Sequence, residues 1–155
     1  MPYIPELKFW VLRHILNKEK GIFLPARATK GSAGFDMAAA QDTIVHPYAK
    51  DNIKPTLVPT GIKAKFPEGI VLLLFNRSNN PIKRNLVLAN SVGVIDSDYY
   101  NNPNNEGEIF GSFYNFGNSD YTIKKDERIM QGIFIKYENF GIALGERTGG
   151  FGSTD

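Results

Sequence analysis

Cysteine is absent from the 155-residue chain, which excludes disulfides and thiolate metal sites. Histidine is nearly as scarce: His14 and His46 are the only two, too few for a structural zinc set when no thiolate can join them. No apolar run approaches the roughly 18 residues of a membrane-spanning helix, and the N-terminus lacks the basic flank, apolar core and small-residue cleavage site of a secretion signal. Charge of one sign is not in excess either. With 18 Lys and Arg against 16 Asp and Glu the formal charge is +2, so no bulk basic field draws nucleic acid or a membrane surface, and an anion must be held by local placement. Neither a G-x-x-x-x-G-K-S/T loop nor a G-x-G-x-x-G loop occurs, and strand patterns do not alternate with helical ones, which excludes the nucleotide folds built on them. These absences lead to the expectation of an untargeted, soluble, cytoplasmic protein with no nucleic-acid and no membrane partner. The length suits one domain with a real core, residues 1–144, followed by a glycine-rich tail, 145–155.

What is present is glycine and proline, 15 and 9 of them, punctuating short β-branched runs. Turn signals recur roughly every eight to twelve residues across 43–69, the spacing of an all-β sandwich or barrel. Residues 7–16 read as a strand in preference to a short helix. Residues 70–75 (IVLLLF) are apolar on both faces and predict a central strand, covered on each side or buried against another subunit. The segment 108–116 resumes a strand, with Phe110, Tyr114 and Phe116 on one side and Ile109 and Phe113 on the other; these aromatics are expected in the core. The asparagine-rich 100–105 reads as an exposed loop. The last long strand, 129–137, sets Gln131 in one row with Ile129, Ile133, Ile135 and Tyr137, and an amide in such a row needs hydrogen-bond partners.

The central stretch, 90–99 (NSVGVIDSDY), packs Val92, Val94 and Ile95 around Gly93 and then breaks into two carboxylates and a tyrosine. It reads as a tight hairpin, with its apolar residues buried, Asp96 turned inward and Asp98 in the turn, because a carboxylate is costly to bury without a polar pocket. Arg77, at the mouth of the apolar strand with Ser78 beside it, suits an anion such as phosphate, or else an ion pair with a turn serine. Asp36, between small residues, is either a turn aspartate or a residue that a ligand approaches closely. The tail carries Arg147, Phe151, Ser153 and Thr154 among four glycines. It is either a frayed end or a segment that closes over a nucleotide.

Five short segments, in order, resemble the motifs of the trimeric, jelly-roll deoxyuridine triphosphate nucleotidohydrolases (dUTPases). Ala33-Gly34-Phe35-Asp36-Met37 resembles the first, Arg77-Ser78 the second, Gly93-Val94-Ile95-Asp96-Ser97-Asp98-Tyr99 the third, Glu127-Arg128-Ile129-Met130-Gln131 the fourth and Gly149-Gly150-Phe151-Gly152-Ser153-Thr154 the fifth. The resemblance spans about residues 24–154, and the third and fifth motifs together are specific. It implies an all-β, jelly-roll-like barrel, a homotrimer with active sites at subunit interfaces, and conversion of dUTP and water to dUMP and pyrophosphate. The roles it implies are these. Asp96 activates the attacking water; Tyr99 packs on the deoxyribose and excludes a 2′-hydroxyl. Asn90 and the hairpin backbone, Gly93 and Ile95 included, read the uracil. Arg77, Ser78 and Gln131 contact the phosphate chain; Arg147, Ser153 and Thr154 hold the γ-phosphate; Phe151, with Gly152 beside it, stacks on the base. Mg²⁺ on the triphosphate is implied as cofactor, touched by Asp36 through water.

The chain departs from that pattern at Asn76 and Asn79-Asn80, which flank the second motif in place of small or apolar residues. Asp126 replaces a glycine of the fourth motif, the tail is one residue shorter between Arg147 and Gly149, and the loop after Tyr99 is longer, with Tyr100 in place of an arginine. A dCTP deaminase or bifunctional relative on the same fold is the nearest rival, although 90–96 offers no glutamate for that chemistry. A non-catalytic regulatory protein on the same scaffold is the second.

Overall fold

The short β-branched runs become eleven strands among the described residues of this computed structural model, which are 7–12, 21–147 and 149–150. They are β1 (Lys8–Val11), β2 (Phe35–Ala38), β3 (Thr43–Val45), β4 (Thr56–Pro59), β5 (Ile62–Lys65), β6 (Ile70–Asn76), β7 (Leu86–Leu88), β8 (Gly93–Ile95), β9 (Phe110–Asn115), β10 (Tyr121–Ile123) and β11 (Arg128–Lys136). Strand content is 40% against 7% helix, so the protein is all-β, as its turn spacing predicts. The strands form a four-stranded sheet in the order β2-β11-β6-β8, a three-stranded sheet β4-β9-β7, and the pairs β1-β5 and β10-β3. Of the expected strand at 7–16, residues 8–11 pair with β5; 13–16 lie outside the described residues.

The core is built by period-two alternation. In β6, Ile70, Leu72 and Leu74 are buried, and with Met37, Val58, Leu86, Ile109, Phe113, Ile123 and Met130 they form one contiguous cluster. Each such side chain, fully buried, contributes about 1.5–3 kcal/mol. As predicted, β6 is central, between β11 and β8. Its second row, Val71, Leu73 and Phe75, is only partly covered and pairs with Ile135, Ile133 and Gln131 of β11. Val94 (59% exposed) and Ile135 (41%) extend this outward apolar face. Further along, Phe140, Ile142 and Leu144 are 88%, 91% and 101% exposed.

Five local expectations are corrected. Gln131 shares its row with Ile133 and Ile135 but not with Ile129, because a register shift between Arg128 and Met130 turns Ile129 inward beside Met130. The stretch 90–99 is not a paired hairpin: β7 pairs with β9 and β8 with β6, so the chain steps between sheets across Ala89–Val92, where Ser91 adopts φ 63°. Since Gly93 and Ile95 take the inward positions of β8, Val94 points out. Of the apolar residues of 108–116, Ile109 and Phe113 are core, while Tyr114 and Phe116 lie outward against Tyr48 with ring centroids 5.4 and 5.5 Å from it. The asparagine-rich loop is not wholly exposed, since Asn102 is 3% exposed.

A π-helical turn, Asn80–Arg84, follows β6. Asn80 is fully buried: its Nδ2 donates to Asn76 Oδ1 and to the carbonyl of Ile129, each at 2.6 Å, and its Oδ1 accepts from Arg84 at 2.8 Å. The asparagines around Arg77-Ser78 thus supply hydrogen bonds that small residues could not.

Candidate active site

A cavity of about 140 Å³ opens beside the edge strand β8 and is lined by Leu74, Leu88, Asn90, Gly93, Val94, Ile95, Asp96, Tyr99, Phe110, Ser112, Arg147 and Gly150. Because β8 pairs only with β6 among the described residues, its other edge presents backbone groups to this cavity. Gly93 owes its identity to packing: a β-carbon there would stand 3.0 Å from Leu74 Cβ. The sequence-predicted Asn90, Gly93, Ile95, Asp96, Tyr99 and Arg147 are thereby brought together. Leu74, Leu88, Phe110 and Ser112 were missed, because only the pairing register reveals which residues of β6, β7 and β9 face β8.

Tyr99 ends the 3₁₀ turn Ser97–Tyr99 and is buried. Its hydroxyl donates to the carbonyl of Glu108 at 2.6 Å and accepts from Nδ2 of Asn105 at 2.8 Å. Burial pushes the phenol pKa up to about 12, against the smaller lowering effect of the Asn105 hydrogen bond. The phenol is therefore neutral, and its hydroxyl is held by two hydrogen bonds.

Asp96 is not turned inward. Its side chain is 51% exposed at the cavity mouth, where the guanidinium of Arg147 meets both acids of the turn, Nη2 on Asp96 and Nε on Asp98 at 2.7 Å. Nη1 of Arg147 donates to the carbonyl of Gly149 at 2.9 Å, and its guanidinium carbon lies 5.9 Å from the Tyr99 ring centroid. Gly150 lies close enough to that ring for an added β-carbon to sit 2.7 Å from Cε2. A second, polar cavity of about 350 Å³, lined by Glu68, Asp96, Ser97, Asp98, Tyr137 and Arg147, shares the Asp96–Arg147 pair with the first. Phe151, Gly152, Ser153 and Thr154 lie outside the described residues.

The other predicted residues gather elsewhere. Asp36, its side chain 14% exposed, meets Arg77 at 3.6 Å and Arg128 at 3.2 Å. Arg77 and Arg84 each donate to the carbonyl of Arg128 at 3.3 Å, and Arg84 pairs with Glu127 at 3.1 Å. Three guanidiniums against two carboxylates leave this cluster one positive charge in excess, a setting for an anion. Gln131, on β11 opposite Asp36, folds over Gly34, and Ser78 is exposed next to Arg77. Arg84, Glu127 and Arg128 are the members that sequence reasoning missed. This cluster sits at the C-terminal end of β6, whereas Ile95, next to Asp96, pairs with Leu72 near the other end. Five residue steps lead from Leu72 to Arg77, about 17 Å.

The donors present do not form a metal cage. No three acidic or histidine side chains converge among the described residues, and Asp36 is engaged by two arginines. The chemistry available is a half-exposed carboxylate paired with a guanidinium, beside a small cavity walled by a buried, hydrogen-bonded aromatic ring.

A family model described as dUTPase matches residues 21–154. The deoxyuridine 5′-triphosphate nucleotidohydrolase of Lactococcus lactis subsp. lactis is 49% identical over 144 residues, 88% of this chain and 91% of that one. The crystal structure of the dUTPase from Streptococcus mutans is similar with a TM-score of 0.77 at 42% identity, covering 86% of this chain and 98% of that one. The dUTPase of Staphylococcus aureus phage phi11, a mutant described with a coordinated structural Mg(II) ion, is 18% identical with a TM-score of 0.68 over 91% of this chain and 97% of that one, a likeness of fold.

Proposed function

The chain belongs to the dUTPase family, and from that premise we propose that it is a dUTP diphosphatase, hydrolysing dUTP to dUMP and pyrophosphate at the cavity beside β8. The observation that carries the assignment is Asp96, a half-exposed carboxylate at the mouth of a cavity walled by Tyr99 and the open edge of β8.

Asp96 holds a water in line with the α-phosphorus and takes its proton as the new P–O bond forms. The bond from phosphorus to the α,β-bridging oxygen breaks, and pyrophosphate leaves with that oxygen's electrons. The edge of β8 from Gly93 to Ile95, with Asn90, pairs with the uracil; fixed donors and acceptors that suit a 4-keto edge are left unpaired by cytosine's amino group. The Tyr99 ring lies against the deoxyribose and leaves no space for a 2′-hydroxyl. Arg77, Ser78 and Gln131 supply donors to the phosphate chain. Arg147 exchanges its carboxylate partners for the γ-phosphate, and the tail 145–155 closes over the domain 1–144, with Phe151 and Gly152 on the base and Ser153 and Thr154 on the phosphates. Magnesium, when bound, would neutralise charge on the triphosphate, with Asp36 the carboxylate that would touch it through water.

Arg77 and Asp96 lie at opposite ends of β6, so one chain offers two half-sites. Their distance supports a homotrimer in which one protomer's phosphate cluster meets another's Asp96, with the outward apolar face of β6, β8 and β11 as contact surface. The reading places the enzyme in the cytoplasm.

Pyrophosphate release is to be measured with dUTP, dCTP, dTTP and UTP, with and without Mg²⁺, alongside ammonia release from dCTP. Turnover of dUTP alone, lost in Asp96→Asn, is the expected result. Ammonia from dCTP, or full activity in Asp96→Asn, would overturn the reading.

A further inference from the structure

The loop between Tyr99 and Glu108 is built around a buried cation. Lys63, on β5, has a side chain only 4% exposed, and its ammonium donates to Oδ1 of Asn101 and pairs with Glu106 at 3.2 Å beneath the Tyr100 ring, 5.0 Å from its centroid. Asn101 and Glu106 are the two non-glycine residues of the loop in left-handed backbone, φ 58° and 57°. The strained positions and the anchored positions coincide, so the ammonium holds the loop in a shape its backbone disfavours. The amide of Asn101 closes the loop on the carbonyl of Glu106 at 3.1 Å.

What that shape delivers is Asn105. Its Oδ1 accepts from the amide of Gly107 at 3.0 Å, which orients the side chain, and its Nδ2 reaches the Tyr99 hydroxyl. The loop also touches the other end of the tyrosine: Asn102 donates to the Tyr99 carbonyl at 3.1 Å, and a β-carbon on Gly107 would stand 2.3 Å from that oxygen. We propose that Asn105, carried on the loop that Lys63 anchors, is a positioning residue that sets discrimination between deoxyribose and ribose by fixing the ring of Tyr99. The inference rests on the proposed role of Tyr99 as the sugar wall and adds the residue that holds the wall in place. A 2′-hydroxyl is rejected only as far as the ring cannot retreat, and a ring tethered at its hydroxyl retreats least.

Asn105→Asp keeps the acceptor that Gly107 uses and removes the donor to Tyr99. The ratio of kcat/KM for dUTP to that for UTP is measured in the wild type, Asn105→Asp, Tyr99→Phe and the double variant. Each single change is expected to lower the ratio about three- to tenfold, the worth of one hydrogen bond, mainly through a better KM for UTP. The double variant should be no worse than Tyr99→Phe alone, which already removes the hydroxyl that Asn105 holds, along with its bond to Glu108. Asn105→Ala, which adds no charge, should match Asn105→Asp, and it carries the test if the aspartate variant does not fold. An unchanged ratio in Asn105→Ala, or losses that multiply in the double variant, would overturn the inference. If the wild type fails to hydrolyse dUTP, it is the assignment of the site that falls.

Discussion

Gly34, just before β2, and Gln131 of β11 fit together: a β-carbon on Gly34 would stand 2.7 Å from Oε1 of Gln131 and 3.2 Å from its Cβ. The first and fourth sequence motifs are thus one contact, in which a missing side chain sets where an amide can lie. Gly34→Ala should displace Gln131 and lower kcat/KM for dUTP about tenfold or more, as misplaced binding groups do. Wild-type kcat/KM in a folded Gly34→Ala protein would refute this.

Arg147 spans Asp96 and Asp98. Removing one anchor should release it more readily to a phosphate, so Asp98→Asn is expected to lower the KM for dUTP by about two- to fivefold, the range of one exposed ion pair. Arg147→Ala should raise that KM instead. Steady-state kinetics of both variants test the pair, and a shift of the same sign in both would contradict it.

Asn80 is fully buried with three partners. Asn80→Ala leaves Asn76, the Ile129 carbonyl and Arg84 short of a bond, and should cost about 2–3 kcal/mol. Urea unfolding gives the value, and a loss below about 0.5 kcal/mol would show that water replaces the amide.

Burial raises the Tyr99 pKa to about 12, while an unfolded tyrosine ionises near pH 10. The stability this confers is complete below about pH 10 and is lost as the pH climbs through about 12, because the unfolded chain releases the proton first. The gap in unfolding midpoint between wild type and Tyr99→Phe should therefore move against the wild type between pH 10 and 12. A gap independent of pH would disprove the shift.

The sheet strands were legible because alternation marks them: β6 shows its buried row plainly as Ile70, Leu72 and Leu74. Partnership was not legible. Val92 to Ile95 looks the same whether β8 pairs with β7 or, as it does, with β6, since periodicity reports a face and never a neighbour. Ile129 was misplaced because a bulge between apolar residues leaves the composition unchanged. Asp126 stood out against the fourth motif's glycine, and its φ of 67° gives the reason: that turn is left-handed. In the site, Asp96 and Tyr99 stood in the third motif and Arg147 in the tail ahead of the fifth, and one cavity brings the three together. Arg128 on Asp36 and Lys63 under the 100–107 loop were not, since each joins segments far apart in the chain.

Phe140, Ile142 and Leu144 stand almost bare beside the tail. If the proposed homotrimer covers this strip, dilution should uncover it and lower the activity per milligram, and reconcentration should restore it.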